Sequence, residues 1–343
     1  MPRPQPAPTI IDVAAHAGVS KSVVSRVLTG APGVAQSTRD RVQRSAAELG
    51  YVANAMARGM SAHRTHTIGA FVRDAARPFY GHLLTAMQER AAQLGYRVVT
   101  ATGSGSFSVA EERRALEVLV SLRVEGLVVC SGALPSEDVL VHAARVPVLV
   151  AGRPEQDPRL ASVACDETGG GTALAEHVLS LGHRRVVVVS HALQESFTMH
   201  PRTAAMVRLL AARGAEVHDL PRSTFAGSRA QVADQVLHHV RALGATAVMM
   251  PADRDALEVL EALERQGLAA PKDLSVTGYD GIGELASPVL GITSWRQPVH
   301  DVGRLAVEQL VALVDGTGAD RRRVLLEGTL VAGRTAGAVH GGR

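Results

Sequence analysis

Aromatic residues are scarce: one Trp, four Tyr and five Phe in 343 residues. Any core must therefore be built from Ala, Val and Leu, and hydrophobic content of 46% allows it to be well filled. Only two cysteines occur, Cys130 and Cys165, each after apolar residues. That argues against a disulfide framework and for buried free thiols in a reducing compartment. The N-terminus lacks the charged, apolar and cleavable pattern of a secretion signal, and no apolar run approaches membrane-spanning length. A cytoplasmic protein with no membrane partner is expected. Catalytic signatures are missing as well. There is no phosphate loop ending in Gly-Lys-Ser/Thr, and no Gly-x-Ser-x-Gly elbow. His183, His191, His200, His238 and His239 do not stand at metal-ligand spacings with acidic or Cys partners. Gly169, Gly170 and Gly171 open a helix and could bind an anion, but they lack a Lys. Tight packing of a turn on a sheet is the simpler reason for them. Neither an enzyme, a metal nor a cofactor is expected.

What is present begins at residue 9. Residues 1–8 are rich in Pro and read as a disordered tail. Residues 9–28 read as two short helices around a tight turn. Thr9 suits an N-cap, with Ile10, Val13, Ala14 and Ala17 at helical spacing. Gly18 can end the first helix in the left-handed conformation. Ser20 can cap the second, whose inner face is Val23, Val24 and Val27. Lys21, Ser22, Ser25 and Arg26 then point outward. Hydroxyls, Lys and Arg on a short exposed helix suit a DNA major groove. The plainer alternative is an αα-hairpin at the edge of a core. A third helix over residues 37–49 closes a three-helix head. Charge supports the DNA reading. Residues 1–66 hold eight basic residues against three acidic ones, a net of +5, while the remainder holds 28 against 30.

Further residues sharpen the pattern. Thr29, Gly30 and residues 31–34 follow the helices. Then come Ser37, Thr38 and Arg39, then Glu48, Gly50 and Tyr51, and then Asn54, Ala55, Met56 and Arg58. This run resembles the lactose-repressor (LacI/GalR) family of bacterial transcription regulators. The resemblance implies that Lys21, Ser22 and Arg26 read bases. Val23 touches a thymine methyl or belongs to the core. Thr9, Ser20, Ser25 and Thr38 contact phosphates, cap helices, or do both. Residues 54–66 resemble the family's hinge helix and linker, beginning at Asn54. Met60 stands where the family has a Leu that wedges into the minor groove. The chain departs from the family at Ala35, where a capping Ser is usual, at Ala53, where Pro is usual, and at Gly59.

From residue 68 apolar runs alternate with amphipathic stretches at the rhythm of βαβ units. Strands are expected over 68–72, 97–101, 126–130, 146–151, 185–190, 215–219, 245–250 and 274–279. Helices are expected over 81–94, 110–122, 170–181, 203–213, 228–243 and 255–266. Eight strands in about 210 residues suit two Rossmann-like lobes of parallel sheet better than one sheet. The fold class is thus an all-α helix-turn-helix head over residues 9–53, followed by a two-lobed α/β domain over 67–335. Resemblance makes that domain periplasmic-binding-protein-like. Lobe 1 covers about 67–165 and 297–325, lobe 2 about 166–294 and 326–335, and a tail 336–343. The chain crosses between lobes near Cys165 and again near 292–297.

Effectors of such domains sit between the lobes. By resemblance Arg202 is the ligand-clamping arginine and Asp280 accepts hydroxyls. Either has a plainer role: Arg202 pairing with a helix-surface acid, Asp280 capping a turn. Asp74 and Phe79 follow the first strand, where a polar group and an aromatic platform often meet ligand. Asp253 lies in a motif whose usual Asn is Ala252 here. Trp295 stacks on ligand or serves as a core aromatic, beside Gln297. The expected function is a homodimeric transcriptional repressor. It would bind double-stranded palindromic operator DNA and answer to a small-molecule effector, a sugar or related metabolite. The competing possibility is a sugar-binding or sugar-modifying protein with a vestigial head. A mobility-shift assay against turnover assays separates the two.

Overall fold

The computed structural model describes residues 8–28, 31–51, 64–103, 108–318 and 322–339. The chain divides between Thr65 and His66 into two compact units.

The first unit is a three-helix head. Helix α1 (Ile10–Ala17) opens with a reciprocal cap: the Thr9 N–H donates to Asp12 Oδ2 at 2.7 Å, and the Asp12 N–H donates to Thr9 Oγ1 at 3.4 Å. Gly18, at φ 61°, ends it in the left-handed region that a side chain would disfavour. Helix α2 (Lys21–Leu28) buries Val24 and Val27, and α3 (Gln36–Glu48) buries Val42, Ser45 and Ala46. Val24, Val27, Val42 and Ala46 join Val13, Ala14 and Ala17 in one small core. Ala35 stands at the N-cap of α3 without a side-chain hydrogen bond. Arg39 Nη2 donates to the Ala31 carbonyl at 3.0 Å and steadies the preceding loop.

The second unit holds two parallel sheets. The first sheet comprises β1 (Thr67–Val72), β2 (Arg97–Thr102), β3 (Leu127–Cys130), β4 (Val148–Ala151), β5 (Ala161–Cys165) and β11 (Arg323–Leu326). Its order is β11-β5-β4-β3-β1-β2, all parallel. Helices α4 (Pro78–Gln93) and α11 (Val299–Val314) cover one face, with Leu83, Met87, Val302 and Leu310 buried against the strands. Helices α5 (Val109–Ser121) and α6 (Ser136–Ala143) cover the other through Leu116, Leu119 and Val139.

The second sheet has the order β7-β6-β8-β9. Its strands are β6 (Arg185–Ser190), β7 (Glu216–Pro221), β8 (Ala247–Met249) and β9 (Ser275–Thr277). Helices α7 (Glu167–Ser180) and α8 (Met199–Ala212) lie on one face, α9 (Arg229–Ala242) and α10 (Asp253–Arg265) on the other. A short antiparallel pair, β10 (Ser294–Arg296) with β12 (Thr329–Val331), stands outside both sheets. The chain leaves the first sheet after Cys165, returns through residues 297–298 into α11, and leaves again between β11 and β12.

Gly170 and Gly171 sit inside α7. A Cβ on Gly170 would meet the Tyr279 hydroxyl and the Trp295 indole, and one on Gly171 would meet the Arg202 carbonyl. Close packing explains these glycines. Asp166 caps the helix by accepting from the Gly169 N–H at 2.8 Å.

In both sheets the connections reverse direction beside the first strand. Loops after β1 and β3, and after β6 and β8, therefore diverge and leave a crevice at the strands' carboxyl ends. Among the described residues no helix is long and apolar enough to cross a membrane.

Candidate functional site: an exposed recognition helix and an inter-lobe cleft

The head presents one polar helix face. Lys21, Ser22 and Arg26 are exposed on α2, opposite the buried Val24 and Val27. Val23 is half-buried and packs on the head core, so most of its surface is committed there. Ser20 Oγ accepts from the Val23 N–H at 3.4 Å and lies 2.9 Å from Ser22 Oγ. Ser25 and Thr38 are half-buried, and Thr9 is exposed within its cap. Asn54 and Met60 lie outside the described residues.

In the second unit, a cleft of about 750 Å³, solvent-facing space included, lies where the carboxyl ends of both sheets meet. Arg77 comes from the loop after β1 and Phe79 from the first turn of α4, Gly152 from the loop after β4, and Arg202 from the first turns of α8. Asp253 and Asp255 start α10, Asp280 follows β9, and Gln297 follows β10.

The floor is a buried polar network. Arg202, 3% exposed, grips Glu167 with two parallel bonds of 2.8 Å from Nε and Nη2. Its Nη1 donates to the Pro251 carbonyl at 2.9 Å and to Asp280 Oδ1 at 3.1 Å. The guanidinium also lies 3.9 Å from the centre of the Tyr279 ring. Burial works against this charge, but Glu167 and Asp280 outweigh it and hold the guanidinium charged. Gln297 Nε2 donates to the same Asp280 oxygen at 2.7 Å, while its Oε1 is buried with no protein partner. Asp280 holds φ 116°, a conformation rarely adopted by side-chain-bearing residues. Its carboxyl is pushed up by burial, with Arg202 and Gln297 opposing.

Asp253 also lines the cleft, yet both its oxygens are taken. Oδ2 accepts from the Gly281 N–H and Oδ1 from Ser294 Oγ, each at 2.6 Å. Burial, with the Asp280 charge adding, pushes its pKa up to about 7. It braces the loop that carries Asp280. Four arginines (Arg77, Arg202, Arg229, Arg254) face four carboxyls (Glu167, Asp253, Asp255, Asp280) around the cleft. Such a balanced lining favours a neutral polar guest over a strongly charged one.

Two expected contacts fall elsewhere. Trp295 packs against the core of the second sheet, its indole beside Gly170 and Gly328, and is not among the residues lining the cleft. Its small-residue neighbours close round the ring, so the structure places it as a core aromatic. Asp74 lines an adjoining cavity at the mouth; its Oδ1 accepts from the Ala76 N–H at 3.0 Å and its Oδ2 lies 3.4 Å from Arg77. Sequence reasoning missed Glu167, Arg77, Tyr80 and Asp255. An acid directly after a helix cap was visible at Glu167, but nothing local pairs it with an arginine 35 positions away.

Comparison with known proteins agrees with this architecture. Residues 9–54 match bacterial regulatory proteins of the lacI family, and residues 175–336 match a periplasmic binding protein-like domain. The chain is 31% identical to the HTH-type transcriptional regulator CelR of Thermobifida fusca, covering 93% of this chain and 96% of that protein. A lac repressor dimer solved with operator and the anti-inducer ONPF superposes with a TM-score of 0.83 at 28% identity, covering 96% and 99% of the two chains. A CelR–cellobiose complex superposes at 0.69 with 28% identity, covering 96% and 100%. An exposed recognition helix, a two-lobed α/β body and kinship over nearly its whole length place this chain in the lacI family of transcriptional regulators.

Proposed function

We propose that this protein is a ligand-responsive transcriptional repressor. It binds a palindromic operator as a homodimer and is controlled by a neutral polyhydroxylated molecule, a sugar or close relative, held between the lobes. It acts in the cytoplasm, where the chromosome lies. The observation that carries the reading is the cleft floor. There Asp280 and Gln297 offer acceptors beside an arginine already neutralised by Glu167. A sugar hydroxyl can donate to Gln297 Oε1 and to the Asp280 carboxylate, and Phe79 supplies an apolar face.

In this reading Lys21, Ser22 and Arg26 read base edges, while Thr9, Ser20, Ser25 and Thr38 place the head on phosphates. Two heads related by a two-fold axis meet two half-sites. Residues 54–66 transmit lobe closure to DNA, with Asn54 a DNA contact and Met60 the minor-groove wedge. The ligand acts only because it binds the two lobe arrangements unequally.

The test combines two measurements on the full chain. Sedimentation should show a dimer at micromolar concentration. Fluorescence anisotropy on the DNA flanking the protein's own gene should show specific binding that one member of a sugar panel shifts. A monomer with no preference over random DNA, or specific binding that no sugar alters, would contradict the reading.

A further inference from the structure

The cleft has a second chamber. A cavity of about 590 Å³, solvent-facing space included, opens at its mouth and shares Arg77, Tyr80, Thr198 and Met199 with the deep chamber. Both lobes wall it: Arg73, Asp74 and Gly132 from the first, and His191, Glu195 and Ser196 from the loop between β6 and α8. That loop is tied across the gap. The Phe197 N–H donates to the Gly132 carbonyl at 2.7 Å, and the Arg153 guanidinium lies 4.9 Å from the centre of the Phe197 ring. The mouth is therefore bridged from lobe to lobe along this side.

Its two arginines are already paired. Arg73 pairs with buried Glu112 at 2.5 Å and Arg77 with Asp74 at 3.4 Å, and Glu195 Oε2 accepts from the Ala192 N–H at 3.1 Å. Hydroxyls and an imidazole complete the wall. Ser196 Oγ lies 3.1 Å from Thr198 Oγ1, and Tyr80 reaches the same space. The buried Nδ1 of His191 has no protein partner, and burial pushes that imidazole down to about 4, leaving it neutral. Neutral imidazoles and hydroxyls each donate and accept, which matches sugar hydroxyls and offers little to a phosphate.

We propose that the mouth chamber is a second subsite that takes a second sugar unit, so that the effector is a neutral carbohydrate of disaccharide size. This rests on reading the deep chamber as a polyol site.

Gly132 supplies the test. A Cβ there would stand 3.5 Å from Thr198 Oγ1, 3.7 Å from the Tyr80 hydroxyl and 3.8 Å from Ser196 Oγ, inside the chamber and clear of backbone. Thermal shift and calorimetric titration of the full chain would use glucose and galactose, then cellobiose, maltose and lactose, then glucose 6-phosphate. At least one disaccharide should bind more tightly than its constituent hexoses. Gly132→Leu should weaken that disaccharide by about tenfold or more while changing hexose affinity less than about twofold. Gly132→Ala, with only ordinary contacts, serves if the Leu variant melts early, and its selective loss should be smaller. A hexose that binds as tightly as the best disaccharide, or variants that weaken both alike, would overturn the second subsite. Preference for glucose 6-phosphate, lost in Gly132→Leu, would make the chamber an anion site instead. Silence from every sugar would instead remove the polyol reading of the deep chamber, and this inference with it.

Discussion

Arg202 is held from three directions, by Glu167, Asp280 and the Pro251 carbonyl, with Tyr279 beneath it. A residue expected to clamp ligand thus does much of its work on protein, and it fixes the Asp280 carboxyl at the cleft floor. Asp253 is similar, bracing the neighbouring loop. Its burial makes a pH prediction. The folded pKa of about 7 stands above the ordinary aspartate value of 3.8, so the stability tied to this group is complete below that lower value. It is lost as pH rises through about 7. Asn keeps the shape and cannot ionise. The melting temperature of Asp253→Asn relative to wild type should therefore climb between pH 5 and 8, measured by calorimetry in matched buffers. A flat difference would mean Asp253 titrates normally. On the head, Arg26 is exposed and outside the core. Arg26→Ala should cost specific operator binding about 1–3 kcal/mol if it pairs with a guanine, with the melting temperature unchanged. Unaltered operator affinity would remove it from the reading face.

Elements differ in how far sequence reveals them. Helices α1 and α2 were plain because each carries its own punctuation, in Thr9, Gly18 and Ser20, around a regular apolar stripe. Strands such as β6, rich in Val and buried, were equally plain. Strand β5 escaped notice: Ala161–Cys165 is made mostly of small residues with weak strand preference, and partners on both sides form it. Strands β10 and β12 have three residues each and exist through their mutual pairing. Helix α7 begins at Glu167 and not at 170, because the Asp166 cap outweighs the cost of three glycines in its first turns. Helix α4 begins at Pro78, a residue suited to a first helical position. The Arg202–Glu167 pair was illegible for a different reason, since it joins helices that only the packing of α7 on α8 brings together. That packing is testable at Gly170. A Cβ there would press on Tyr279 and Trp295. Gly170→Ala should therefore destabilise the second unit by about 1–3 kcal/mol despite the higher helix propensity of Ala. Denaturant unfolding checks this, and a variant as stable as wild type would show that the pocket round Trp295 yields.

At the scale of the molecule, two units carry two chemistries: a small basic head with a reading face, and a larger body whose two sheets aim their carboxyl ends at one cleft. In the proposed function, occupancy of the cleft governs DNA binding by the head. Asp280→Ala tests it most directly. The substitution removes the cleft's central acceptor while leaving Arg202 paired with Glu167. The measurement is an operator-binding titration of wild type and variant, with and without the sugar that most raises the wild-type melting temperature. Ligand-free operator affinity should stay within about twofold of wild type, since the head is untouched, and the sugar should no longer change it. A variant that still responds at the same sugar concentration would mean that ligand in the cleft does not control the head through Asp280.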